Sequence, residues 1–393
     1  MNKYWFYKVG LVVVFLCFAL LGGAKVKLPT LVSDGMVLQR GEPVNIWGTA
    51  DPDETVDITF LKKKYKTVAD VQGNWKVTLP ILKAGGPYTM AINDIELKDI
   101  LIGDVWVCSG QSNMELPVSR VTDRFRDEIS TDSNYSMVRY IKTPLLYNFH
   151  APQADIPGIS WQAMTPENVM PFSALAYFFA KDVYQKTKVP VGIINSSVGG
   201  SPVEAWISEG GLKPFPFYLN EKRIYESDDL MESMKKEERK KSHAWNVALF
   251  QGDKGMHEAT PWYAADYDDS NWTETDLFTS GWATNGLNTV NGSHWFRKDF
   301  QVSAQQAGEK ATLRLGCIVD ADSVYVNGTF VGTVSYQYPP RIYTIPAGLL
   351  KAGKNTITIR LFSYGGRPQF VKEKPYKILF GKGQPEKGES EIN

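Results

Sequence analysis

Two small, glycine-containing turns carry the residues whose types and spacing suit chemistry. The first closes the run Gly103-Asp104-Val105-Trp106-Val107-Cys108-Ser109-Gly110-Gln111-Ser112-Asn113-Met114, apolar until it breaks into a polar turn. A buried strand that stops at Gly110 and turns into a helix brings the next side chains to the rim of a sheet. There the Ser112 hydroxyl is exposed, the helix N-terminus supplies positive potential, and a backbone N–H can face a developing oxyanion. Ser112 is therefore the candidate nucleophile for acyl transfer, although a bare Gly-x-Ser also suits a plain helix cap. The second turn, Gly199-Gly200, follows the apolar run Val189 to Asn195. A glycine pair in that place lets a backbone N–H approach an oxyanion with no Cβ in the way, and equally suits an ordinary tight turn. Cys108 reads as a small apolar residue at a buried strand end.

These turns need a sheet to hold them. Phe172, Leu175, Ala176, Phe179 and Val183 recur at nearly helical spacing, which predicts an amphipathic helix with that face on a sheet, and Val189 to Asn195 reads as the next buried strand. Strand, helix, strand implies a parallel α/β sheet, whose ligands bind at the carboxyl ends of the strands, where Ser112 and Gly199-Gly200 fall. Before this region, Val44 to Gly48, Val56 to Phe60, Trp75 to Leu79 and Tyr88 to Ile92 alternate between turn formers, which predicts a small antiparallel β-sandwich. After it, residues 221–241 read as a charged, solvated helix. Strand signals then return in Trp295 to Phe300, Ala311 to Leu315, Val324 to Gly332 and Asn355 to Leu361, with Asn327-Gly328 as a type I′ hairpin turn.

The string from Gly103 to Met114 resembles the first signature block of the sialate O-acetylesterase family, a branch of the SGNH hydrolases. Val189 to Trp206 resembles the second block, and Leu31 to Gln39 the start of mature members. The resemblance implies that Ser112, and not Ser109, attacks an ester carbonyl, and that one of Gly199 and Gly200 joins the Ser112 N–H in holding the oxyanion. Gln111 and Asn113, on either side of Ser112, are expected to contact the substrate, an O-acetylated glycan or sialic acid. No cofactor is implied. Asp268 to Trp272 and Tyr325 to Gly328 resemble the galactose-binding-like jelly roll inserted in this family, in which Trp262, Trp272, Trp282 and Tyr336 are available to a sugar, a structural role being the simpler one for the tryptophans.

The expected fold is thus multidomain, α/β plus all-β: an incomplete SGNH-type parallel α/β sheet flanked by an N-terminal β-sandwich and an inserted β jelly roll. The expected boundaries are a signal peptide over 1–24, the β-sandwich over 25–100, the first part of the hydrolase domain over 101–250, the jelly roll over 251–372 and a tail over 373–393.

An ester-hydrolysing serine needs a base, usually a histidine oriented by a carboxylate. The chain has 4 histidines, and the residues three positions before His150, His243, His257 and His294 are Tyr147, Lys240, Lys254 and Asn291. The Asp-x-x-His that the resemblance implies is therefore missing. Gln251-Gly252-Asp253-Lys254-Gly255-Met256-His257 imitates a later family block but precedes the jelly roll and spaces its acid and histidine by four. The expectation is a chain that stops before the later strands, with an exposed sheet edge and little activity alone. The rival readings are a carbohydrate-binding protein without catalysis, and a hydrolase whose base is His257.

Composition agrees with an exported enzyme. The 393 residues carry 43 basic and 43 acidic side chains, with no basic stripe for nucleic acid. Lys3 and Lys8 precede an apolar run from Val9 to Leu21 and then Gly22-Gly23-Ala24, which reads as a signal peptide cleaved after Ala24 and a periplasmic or secreted product. That run of about 13 residues is short of the about 20 that span a bilayer, so no stable membrane span remains after removal. Leu16 before Cys17 argues against lipoprotein processing. Cys108 and Cys317 fall in different expected domains and form no disulfide framework, and no cluster has metal-ligand spacing. Oligomeric state is not legible.

Overall fold

The computed structural model describes residues 26–130, 135–279, 282, 284–285, 288–289, 291–365 and 367–381. The expected signal peptide, with Cys17, lies outside the described residues. The chain divides into two compact units, Met1–Ser227 and Asp228–Asn393.

In the first unit, β1 (Val37–Gln39), β2 (Val44–Thr49), β3 (Thr55–Phe60), β4 (Lys63–Val68), β5 (Asn74–Leu79) and β6 (Gly85–Ile92) lead into the 16-residue β7 (Ile95–Gly110). Alternation drives the early strands: Val56, Ile58 and Phe60 of β3, and Trp75, Val77 and Leu79 of β5, point inward between exposed neighbours. The antiparallel pair β2-β5 shares one core with the main sheet, built from Ile46, Ile58, Phe60, Trp75, Leu79, Met90 and Ile92.

The boundary expected at residue 100 falls inside β7, and the structure corrects it. The earlier part of β7 pairs antiparallel with β6, while Asp104–Gly110 pairs in parallel with β10 (Val191–Ser197), from Val191↔Asp104 to Ser197↔Gly110. β10 in turn lies parallel to β8 (Tyr135–Lys142), which β9 (Gln162–Met164) flanks antiparallel. One mixed sheet, β4-β3-β6-β7-β10-β8-β9 with β1 on β7, therefore joins both expected domains. A long strand does this because Ile100, Leu101, Ile102 and Gly103 are buried in sequence across the expected boundary, so no turn interrupts it there.

The helices of this unit are α1 (Ser112–Glu115), α2 (Thr122–Ser130), α3 (Ala174–Thr187) and α4 (Pro216–Tyr225). α3 is the predicted amphipathic helix. Ser173 caps it by accepting from the Ala176 N–H at 3.2 Å, and Lys188 ends it in the left-handed region. Its buried face is rotated from the predicted one: Ala174, Ala176, Tyr177 and Ala180 are buried, whereas Leu175 and Phe179 are exposed. Three alanines let the helix lie close to the sheet, and Phe179 meets the ring of Trp106 edge-on at 5.1 Å.

The second unit opens with α5 (Asp228–Gln251), a 24-residue helix with no buried residue, and α6 (Lys254–His257). α5 matches the solvated helix predicted around 221–241, but it belongs to this unit and not to the α/β region. A ribbon of β11 (Thr284–Asn285) and β12 (Asn288–Thr289) precedes β13 (Gly292–Val302), β14 (Ala311–Leu315), β15 (Ile318–Val319), β16 (Ala321–Val326), β17 (Thr329–Val334), β18 (Ile342–Ile345), β19 (Gly353–Ser363), β20 (Gln369–Phe370) and β21 (Tyr376–Phe380). Antiparallel sheets β13-β19-β16-β17 and β18-β14-β21 share a core of Leu313, Val324, Ile345, Ile359, Leu361 and Phe370. The expected tail from 373 is corrected too, since β21 pairs with β14 from Leu315↔Tyr376 to Ala311↔Phe380. Asn327 and Gly328 both have positive φ, 48° and 81°, as the predicted I′ turn between β16 and β17 demands. Among the described residues, no helix is long and apolar enough to cross a membrane.

Candidate active site

β7 ends at Gly110, whose φ of 140° suits a residue without Cβ, and α1 starts two residues later. Gln111 is the N-cap, its carbonyl accepting from the N–H groups of Met114 and Glu115 at 3.0 Å each. Ser112 is thus the first helical residue, exposed at the carboxyl end of a central strand, and its N–H is one of the donors that a helix start leaves without an intrahelical partner.

β10 runs parallel to this strand and ends in register with it, Ser197 opposite Gly110, so the Gly199-Gly200 turn lands beside α1. A Cβ placed on Gly199 would meet Glu115 Oε2 at 2.6 Å and Ser112 Cα and Cβ at 3.6 Å, which measures how close the two turns come. Three hydrogen bonds fasten them, and two more brace the second turn itself. The Val198 N–H donates to the Gly110 carbonyl at 3.0 Å, and the Gly199 N–H to the Glu115 carboxylate at 2.6 Å. The Gln111 side-chain amide donates to the Ser201 carbonyl, and the Ser201 hydroxyl, which donates to the Val198 carbonyl at 2.7 Å, accepts from the Trp206 indole at 2.9 Å.

Below the rim a buried polar rung ties the strands. Asn195, fully buried, donates to the Cys108 carbonyl at 3.2 Å and accepts from the Ser197 hydroxyl at 3.1 Å, while its own carbonyl accepts from the Thr143 N–H at 2.9 Å. Behind α1, the Leu116 carbonyl accepts from the Ala174 N–H at 2.8 Å, which seats α1 on the start of α3. Burial pushes the Cys108 thiol above its ordinary pKa, the reverse of an activated thiolate. Tyr140, whose hydroxyl accepts from the Ser173 N–H, is pushed up to about 12 by burial and stays neutral.

The predicted residues thus divide. Ser112, Gly199 and Gly200 come together. Gln111 reaches across to the second turn and holds it. Asn113 is exposed, and its side chain makes no hydrogen bond among the described residues. Glu115, Asn195 and Ser201 escaped the sequence reading; Glu115, three residues after Ser112 in a polar turn, was the one that its spacing could have flagged.

His150 is exposed on the segment that follows β8. In the second unit His257 Nε2 is 2.8 Å from the Phe250 carbonyl, and the neighbouring Asp253, buried, accepts from the Gly255 N–H, the Trp295 indole and the Arg360 guanidinium. Those partners give Asp253 a structural task. Among the described residues no group of three or more His, Cys, Asp or Glu is placed to hold a metal ion. Trp262 and Trp272 pack on each other, and Trp282 on Phe296, whereas Tyr336 is exposed beside Tyr338.

A parallel run of strands whose carboxyl edge presents a serine at a strand-to-helix turn, with a glycine turn alongside, has the layout of an α/β hydrolase site. Residues 102–270 match the family model described as carbohydrate esterase, sialic acid-specific acetylesterase, with Ser112, Gly199 and Gly200 inside the matched residues. The Homo sapiens sialate O-acetylesterase is 33% identical over 213 residues, 49% of this chain and 40% of that protein. The Rattus norvegicus sialate O-acetylesterase is 31% identical over 230 residues, 52% of this chain and 42% of its own. A solved carbohydrate acetylesterase from Xanthomonas citri is 39% identical, covers 47% of this chain and 43% of that one, and has a TM-score of 0.45. The chain spans 40% of the human relative's length.

Proposed function

We propose that the protein is an exported carbohydrate esterase that removes O-acetyl groups from a glycan or sialic acid, with Ser112 as the nucleophile. The observation that carries this reading is the seating of Ser112 on a strand-to-helix turn against Gly199-Gly200. Ser112 Oγ attacks the acetyl carbonyl and loses its proton to a base; the Ser112 N–H and a glycine N–H of the second turn hold the tetrahedral oxyanion; the sugar hydroxyl leaves with a proton. Water then attacks the acetyl-serine and releases acetate.

The test is acetate release from O-acetylated sialic acid, with Ser112→Ala as the control. Weak release that the substitution abolishes carries the reading. Release that survives it removes Ser112 from the chemistry. A second reading, glycan binding without catalysis, draws on Tyr336 and Tyr338, which stand exposed with ring centroids 5.1 Å apart. Their loop is tied down by the buried Arg341, whose Nη1 donates to the carbonyls of Tyr336 and Pro339 at 2.9 and 2.7 Å. A chain that releases no acetate but loses glycan affinity on Tyr336→Ala belongs to that second reading.

A further inference from the structure

One polar contact between the two turns joins a carboxylate to one of the two glycines expected to serve the oxyanion. Glu115 Oε2 accepts from the Gly199 N–H at 2.6 Å, across 84 residues of sequence, in the short range of charge-assisted hydrogen bonds. A backbone N–H that already faces a carboxylate is not free to hold an oxyanion, and a second negative charge beside that carboxylate would be repelled. The Gly200 and Ser112 N–H groups, by contrast, have no protein acceptor among the described hydrogen bonds.

Resting on the esterase reading above, we propose that Glu115 is the positioning residue of the oxyanion turn. Its carboxylate clamps Gly199 to α1, and the oxyanion role falls to the Ser112 and Gly200 N–H groups. Several features support a clamp. Glu115 sits on the same one-turn helix as Ser112, so its bond to Gly199 ties the second turn directly to the element that carries the serine. A Cβ on residue 199 would lie 2.6 Å from Glu115 Oε2, so a larger residue there would push the carboxylate aside. The flanking bonds, Val198 N–H to the Gly110 carbonyl and Gln111 to the Ser201 carbonyl, fasten the two ends of the same turn but leave its middle to Glu115.

The experiment compares wild type with Glu115→Ala, Glu115→Gln and Gly199→Ala by two readouts. The first is amide hydrogen exchange over residues 198–201, with the β7 and β10 amides as internal controls; it needs no activity. The second is the rate at which a fluorophosphonate labels Ser112, with Ser112→Ala as the blank. The expected result is exchange faster by about tenfold in Glu115→Ala and Gly199→Ala, with Ser112 labelling slower by about 10²-fold, the effect of a misplacement of about 1 Å. Glu115→Gln keeps an acceptor for Gly199 and loses the charge, so it retains protection and labels as fast as wild type or faster. Unchanged exchange in both Glu115→Ala and Gly199→Ala overturns the clamp. Faster exchange with unchanged labelling overturns its part in the chemistry. If wild type does not label above the blank, the esterase reading fails, while the exchange data still decide the clamp.

Discussion

The two units treat polar groups in opposite ways. In the sandwich of the second unit, Asp322 and Arg341 have side chains with no exposure at all, yet every contact is met: Arg341 Nε donates to Asp322 at 2.6 Å, Tyr343 donates to the other carboxylate oxygen at 2.5 Å, and Arg341 also reaches three loop carbonyls. At the rim of the first unit, Ser112, Gln111, Asn113 and Gly200 are exposed and partly unpaired, around turns in which Gly110 and Gly200 have positive φ. Apolar groups follow the same division. Val324 in the sandwich is fully buried, whereas Val107, on a strand in the middle of the larger sheet, is 70% exposed. Among the described residues, β10 is the one strand in register with Val105–Gly110. The difference teaches that a closed polar cluster is architecture, and that an open one on an exposed turn is where chemistry can occur.

The sharpest way to break that comparison is to exchange the roles. Ser112→Ala is expected to remove the serine-dependent part of acetyl-ester turnover, a loss of about 10³-fold or more, while the thermal melt stays put, because the hydroxyl is exposed. A shifted melt would show that Ser112 is a structural cap after all. Asp322→Ala is expected to do the reverse. Leaving Arg341 buried without its counter-charge costs about 3–5 kcal/mol, read as faster hydrogen exchange in β16 and β19. An unchanged exchange pattern would mean that water reaches the guanidinium and that the cluster is not closed.

Asn195→Ala tests the rung between these extremes. It strands a carbonyl and a hydroxyl in the buried layer just under the site, which costs about 1–3 kcal/mol. Urea unfolding followed at the first unit measures it, and a neutral outcome would show that Thr143 and the strand ladder suffice to hold β7, β8 and β10 together.

How much of this was legible in the sequence depended on range. The strand-to-helix turn at Ser112 was found because strand, glycine and helix start are consecutive, so local rules suffice. The hairpin at Asn327-Gly328 was found for the same reason. β4 was not, because its Lys63, Lys64 and Lys66 hide a strand that lies at the sheet edge, where lysines discourage further pairing. The continuity of β7 was missed because a change of partner, from β6 to β10, leaves no mark in a run of valine, isoleucine and leucine. α3 was found as a helix but rotated, since periodicity cannot weigh two large side chains against three alanines that allow close approach. The spacing of Glu115 from Ser112 could have flagged the residue but not its contact, since the partner is an N–H far along the chain and a backbone donor has no residue type to read.

The smallest expected effect sharpens the comparison most. Val→Thr keeps shape and adds a hydroxyl, so its effect measures whether a site is dry. At Val324 the hydroxyl is buried in an apolar core, and the loss is expected at about 1–3 kcal/mol. At Val107 the same change faces solvent and is expected to stay within about 0.5 kcal/mol. Chemical denaturation of the two single variants gives both numbers. Should Val107→Thr prove as costly as Val324→Thr, then something covers that face of β7 in solution, be it further chain or a second molecule. The open region around Ser112 would then have to be redrawn as part of a larger, closed sheet.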